Sequence, residues 1–152
     1  MQLSGHFSLS EFVESATASR LGINNDLPIA LTQAAKNTAQ MMERVREALS
    51  SGSAIQVPIS ITSAYRCQAL NRALKSSDSS DHIKMLAVDF KAPQFGSPLD
   101  VCRTLVPLMD YLGIGQLIYE FSWVHISSRA PDKQINRILT VQGNGYAAGI
   151  LE

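Results

Sequence analysis

The chain of 152 residues is short of the features that mark several protein classes. Its two cysteines, Cys67 and Cys102, form no disulfide framework, and neither has a second cysteine at metal-ligand spacing. Both fall in predicted helices, where they read as small packing residues. No apolar run approaches the ~20 residues needed to cross a bilayer; Leu105 to Met109 and Gln116 to Tyr119 are among the longest, so no transmembrane helix is expected. Thirteen basic residues balance thirteen acidic ones, with no cluster of Lys and Arg that would track a phosphate backbone, so nucleic acid is not an expected partner. The segment Met1 to His6 has neither a basic leader nor an apolar core, so no secretory signal peptide is expected and synthesis is placed in the cytoplasm.

What is present is ordinary globular composition, 45% apolar and 17% charged, at a length that suits one domain over residues 1–152. Ser8-Leu9-Ser10-Glu11 is a capping box opening a short helix to about Ser15. After the turn Asn24-Asn25-Asp26, Pro28 begins a long helix in which Leu31, Ala34, Ala35, Thr38, Met41, Met42, Val45 and Leu49 recur at helical spacing. Ile55, Val57, Ile59 and Ile61 alternate as a half-buried strand, with Pro58 favouring an edge or a bulge. A helix from about Cys67 to Leu74 leads to the polar loop 75–81, and Leu86 to Ala92 reads as a strand. Ser97-Pro98 opens a helix to about Leu112, bent at Pro107. Leu117 to Glu120 and Trp123 to Ser127 read as strands joined around Phe121-Ser122, and Ile135 to Val141 as a final strand. This order predicts an α+β fold with a small, mainly antiparallel sheet packed with helices.

The chemistry concentrates in two stretches, Ser80 to Asp89 and Glu120 to His125. Alternation along 86–90 puts Asp89 on the face opposite Val88 and Phe90. A two-residue turn at Phe121-Ser122 pairs Glu120 with Trp123 and Ile118 with His125, leaving Glu120 and His125 as diagonal neighbours roughly 7–8 Å apart on one face. Catalytic zinc takes three protein ligands, commonly imidazole and carboxylate, and keeps one position open. His82, Asp89 and His125 supply that count for one Zn²⁺ ion, with Glu120 as the nearby carboxylate for proton transfer.

Two motifs carry a family resemblance. Ser80-x-His82-x-x-Met85-x-Ala87-x-Asp89, with Trp123-Val124-His125, resembles the S-x-H-x-x-G-x-A-x-D signature and second ligand segment of the D-Ala-D-Ala carboxypeptidase/hedgehog-type zinc peptidases. Thr62-Ser63-Ala64-Tyr65-Arg66, followed by Asn71, is similar to their T-S-x-Y-R-x-x-x-x-N stretch. The similarity runs from Leu9 to near Tyr146, most closely to a compact subgroup common in bacteriophages. It implies that His82, Asp89 and His125 bind zinc, that Glu120 is the general base and acid, and that Arg66 steadies the substrate carbonyl or oxyanion, for which a fixed guanidinium is apt.

Ser80 is then expected to orient a ligand from behind it, Asn71 to lie near the site or on a helix surface, and Trp123 to pack beside the site or line its cleft. The implied substrate is the peptide part of peptidoglycan, cleaved as a D,D-carboxypeptidase or an L-alanyl-D-glutamate-type endopeptidase, in a phage lysis or virion-associated enzyme. The competing reading is a zinc-binding, non-catalytic interaction module. It is motivated by Met85, which stands where the family has glycine, a residue that permits positive φ or close backbone approach. His6, Asp78 and Asp81 are read as residues without a role at the site, the two aspartates as solvated loop charges.

Overall fold

Local signals set the helix ends throughout the computed structural model, which describes residues 1–152. The Ser8 hydroxyl accepts from the Glu11 amide while the Glu11 carboxylate accepts from the Ser8 amide, and this reciprocal pair opens α1 (Leu9–Val13). Such a cap stabilises by about 1 kcal/mol. A second short helix, α2 (Ala16–Leu21), follows; the sequence reading ended the first helix at Ser15 and missed it. Its signals are Ser15, whose hydroxyl caps the Ala18 amide, and Gly22, which takes the left-handed conformation at φ +66.

The long helix begins with a 3-10 turn at Ile29–Leu31 and continues as α3 (Thr32–Ser50), burying Ala35, Ala39, Met42, Val45 and Leu49 along one stripe. The strand expected at 55–61 is shifted to β1 (Ser60–Ser63). Pro58 has no amide to donate, so regular pairing starts only beyond it. Next come α4 (Gln68–Ala73), capped by the Cys67 sulfur, and β2 (Ala87–Lys91). The helix expected over 97–112 is divided at Pro107 into α5 (Pro98–Leu105), a 3-10 turn at Val106–Leu108, and α6 (Met109–Leu112). The strands β3 (Gln116–Tyr119) and β4 (Val124–Ser127) form the expected hairpin.

The final strand is β5 (Ile138–Gln142), preceded by a 3-10 turn at Gln134–Asn136, and it pairs with an unforeseen sixth strand, β6 (Gly145–Ala148). The overlooked signal was the tight turn Gly143-Asn144, with Gly143 at φ +57, ahead of Gly145.

The fold is α+β. The six strands run in the order β1-β2-β4-β3-β5-β6, antiparallel except for the parallel pair β3 and β5. Strand alternation sorts residues onto two faces. Val88, Phe90, Leu117, Tyr119, Val124 and Ile126 share one hydrophobic core with the buried residues of α3 and α5. The other face carries Asp89, His125 and Ile118 in one cross-strand row, because Asp89 pairs with His125 and His125 with Ile118.

Candidate metal centre and active-site groove

Three separate pieces of local structure deliver the histidines and carboxylates to that second face. A bulge between Ile61 and Ser63 brings Ser63 opposite Asp89. A compact turn over 81–85 presents His82; its closing bonds run from the Met85 amide to the His82 carbonyl (3.3 Å) and from the Leu86 amide to the Asp81 carbonyl (3.0 Å). The β3–β4 turn, with Phe121 at φ +60, sets Glu120 opposite Trp123, as its amide bonds the Trp123 carbonyl at 3.2 Å.

Met85 closes the 81–85 turn at φ +59, the left-handed conformation that favours glycine. Its side chain is completely buried in the core and its carbonyl accepts from the Thr38 hydroxyl at 2.6 Å. The turn thus keeps a glycine-like backbone without glycine, and Met85 points away from the groove rather than narrowing it.

Asp89 is the hub. One carboxylate oxygen accepts from His125 Nδ1 at 2.8 Å; the other faces His82 Nε2 at 3.4 Å and accepts from the Arg66 guanidinium at 3.1 Å. Burial works toward a neutral Asp89, but the bond from His125 outweighs it and holds the carboxyl far below its ordinary range. Burial likewise opposes charge on His125, yet its bond to Asp89 and the Asp89 charge win and raise its pKa. For His82 burial prevails and its pKa falls.

The His82 tautomer decides what this cluster can hold. Its Nδ1 donates to the Ala64 carbonyl at 2.6 Å, so in the neutral ring Nε2 is left as a lone pair aimed at a carboxylate oxygen. Two acceptors face one another, an arrangement that a cation between them resolves. The donor atoms of His82, Asp89 and His125 all lie within 4.8 Å of one another. Ligand atoms ~2.0–2.1 Å from a tetrahedral ion stand about 3.3 Å apart, so three donors within 4.8 Å of one another can close around one ion with modest adjustment.

Around the cluster, Arg66 is tied by three bonds: Nε to the Ser63 hydroxyl (3.0 Å), one terminal nitrogen to Asp89, and the other to Asn71 Oδ1 (3.4 Å). Asn71 is fully buried, not a helix-surface residue, and its amide also donates to the Ser77 carbonyl at 2.8 Å. The Ser80 hydroxyl accepts from the His82 amide at 3.3 Å, so it contacts the backbone of that residue rather than its ring. Trp123 Nε1 donates to Glu120 Oε2 at 2.6 Å, leaving Oε1 for other partners. Burial and the Asp89 charge raise the Glu120 pKa.

The groove these residues line has a volume of about 720 Å³ and extends past Glu120 to Leu139 and Tyr146. Asp78 is the exposed loop charge expected, paired with Arg72. Asp81 is not: it is buried, accepts from the Ser127 hydroxyl at 2.8 Å and lies 3.4 Å from Arg129. It is buried because the turn that carries His82 folds back on β4, a long-range contact that the polar loop sequence does not signal. Gly115 allows this packing, since a Cβ there would sit 1.7 Å from the Arg129 carbonyl. His6 pairs with Glu43 on the surface and takes no part.

A family model described as Peptidase M15 matches residues 5–127, a span that includes Arg66, both histidines, Asp89 and Glu120. The chain belongs to the peptidase M15 family. M15 peptidases are zinc-dependent, and this chain is a metallopeptidase. No curated protein matches it. The M15 match ends at Ser127, the last residue of β4, so β5, β6 and Tyr146 lie beyond it. No helix of this M15 peptidase is long and apolar enough to cross a membrane.

Proposed function

We propose that residues 1–152 act as one zinc peptidase domain that hydrolyses an amide bond in the peptide part of peptidoglycan, with His82, Asp89 and His125 as the metal ligands. The observation that carries the reading is the lone pair of His82 Nε2 directed at Asp89, with His125 on the carboxylate's other oxygen and Glu120 on the same sheet face. A zinc ion held there supplies a Lewis acid for the scissile carbonyl and a lowered pKa for an attacking water.

The remaining work falls to the protein's side chains. Glu120 accepts a proton at Oε1, the oxygen that Trp123 leaves free, and returns it to the departing nitrogen. Its raised pKa brings it nearer to a group that both takes and gives a proton around neutrality. Arg66 holds Asp89 in place and offers its remaining N–H donors to the carbonyl oxygen as negative charge develops. Asn71 fixes the guanidinium, and Ser80 fixes the turn that carries His82.

The family resemblance supports a D,D-carboxypeptidase or an L-alanyl-D-glutamate-type endopeptidase of a phage, used in lysis or carried on the virion. Mass spectrometry of muropeptides incubated with the zinc-loaded protein tests this, since the mass lost names the bond. Release of a peptide fragment that stops with chelator is the expected result. Stoichiometric zinc with no released amine would favour the non-catalytic binding module.

A further inference from the structure

The groove continues beyond Glu120 onto strands that lie outside the M15 match. In the parallel pair of β3 and β5, Ile118 stands level with Leu139 and Tyr119 with Thr140; extended one residue past the end of β3, the same register sets Glu120 level with Val141. Val141 in turn pairs with Tyr146 on β6. Tyr146 therefore stands two strand spacings from Glu120, about 9–10 Å at the backbone, on the same face of the sheet. A tyrosine side chain spans most of that gap. Ile118, Leu139 and Tyr146 all line the groove, and Tyr146 is 59% exposed.

Across the sheet the order is Arg66 beyond β2, the histidine and carboxylate cluster on β2 and β4, Glu120 after β3, and Tyr146 on β6. A peptide laid across these strands has its scissile carbonyl toward Arg66 and its departing nitrogen toward Glu120. We infer that Tyr146 is a substrate-contacting residue: it walls the subsite for the residue on the leaving-group side, with Ile118 and Leu139 as floor, and its hydroxyl bonds that residue's backbone or carboxylate. This rests on the assignment of Glu120 as the proton donor to the departing nitrogen.

The test uses muropeptides freed from purified peptidoglycan by a glycosidase, with the zinc-loaded wild type, Tyr146→Phe and Tyr146→Ala. Trp123 is the chain's single tryptophan and contacts Glu120, so its emission reports binding while amine release reports turnover. Loss of the hydroxyl in Tyr146→Phe should raise Kd and KM about three- to tenfold with kcat held within about twofold. Tyr146→Ala, which also loses the ring, should raise both by about ten- to a hundredfold. Zinc content and melting temperature should not move, because the side chain is exposed. Wild-type Kd and KM in both variants would overturn the inference and leave the hydrolytic reading standing. A wild type that binds muropeptides without releasing amine would remove the hydrolytic reading, and the Kd ratios alone would then decide for or against Tyr146. A wild type that neither binds nor cleaves them removes both.

Discussion

Replacing Met85 should reverse the usual ranking of alanine over glycine. The side chain is completely buried and sits in the core shared by α3 and the sheet, so its removal forfeits about 2–5 kcal/mol whichever small residue takes its place. The backbone, however, is at φ +59, where a Cβ costs about 1–2 kcal/mol that glycine does not incur. Against this, glycine gives the unfolded chain more freedom, a penalty of about 0.4–1 kcal/mol. The difference leaves Met85→Gly more stable than Met85→Ala by about 1 kcal/mol, with both well below the wild type.

Urea unfolding of the metal-free protein measures this directly. With a slope of about 1–3 kcal/mol per molar urea, the glycine variant's midpoint should lie about 0.5 M above the alanine variant's, at unchanged slope. Chelator belongs in the buffer, because metal bound only to the native state would add its own stabilisation to every variant and hide the backbone term. An alanine variant as stable as the glycine variant, or more so, would refute the claim that this turn holds a strained residue. The same pair bears on function: if the glycine variant keeps wild-type zinc affinity, the turn geometry and not the methionine side chain places His82.

Glu120→Gln should retain zinc and lose peptide-bond hydrolysis by at least about a hundredfold, as seen by metal analysis and amine release; unchanged turnover would remove Glu120 from the reaction. His125→Ala should instead weaken zinc binding, and full zinc retention in a chelator titration would count against it as a ligand. Because Asp89 raises the His125 pKa in the metal-free protein, zinc bound through His125 as proposed would displace a proton from that ring. Apparent affinity should therefore rise with pH, by up to about tenfold per unit below the raised pKa, and level above it; competition against a chelator at several pH values checks the slope. Gly115→Ala should push the Arg129 carbonyl away, disturb the Ser127–Asp81 bond and lower the melting temperature by several degrees, whereas a wild-type melt would show that the 127–129 segment yields freely.

The hairpin register was legible in the sequence because Phe121-Ser122 leaves only two residues between alternating strands, and parity then sets Glu120, Trp123 and His125 relative to Ile118. The core stripe of α3 was legible from periodicity for the same reason: one face must be buried and the spacing says which. What escaped was set by long-range contact. Asp81 looks like one more polar residue in a serine-rich loop, and only the return of that loop against β4 buries it beside Ser127. Asn71 looks like a helix-surface amide until Arg66 and the Ser77 carbonyl close around it. Tyr146 escaped because its strand is short and glycine-flanked, with no alternation long enough to read.

The backbone strain follows the same boundary between local and long-range causes. Three residues other than glycine take the left-handed conformation, Lys75, Met85 and Phe121, and each borders the groove: Lys75 opens the loop that lines it, Met85 closes the His82 turn, and Phe121 follows Glu120. Left-handed glycines fall elsewhere, at helix and hairpin ends such as Gly22, Gly113 and Gly143. Glycine at Met85 or Phe121 would relieve strain but give up the packing that the side chain supplies. Met85 fills the core, and the Phe121 ring packs 4.6 Å from Tyr119, on the face opposite the site; Lys75 is exposed, and its 2.9 Å backbone bond to the Arg72 carbonyl is one that glycine would keep. A peptidase whose proposed ligands come from a turn, a strand and a hairpin must hold those pieces rigidly against one another, and a loosened glycine turn under His82 or beside Glu120 would let the proposed reacting groups drift. Strain of about 1–2 kcal/mol at each of Met85 and Phe121, offset by packing on the far side of the sheet, is the physical cost of that rigidity.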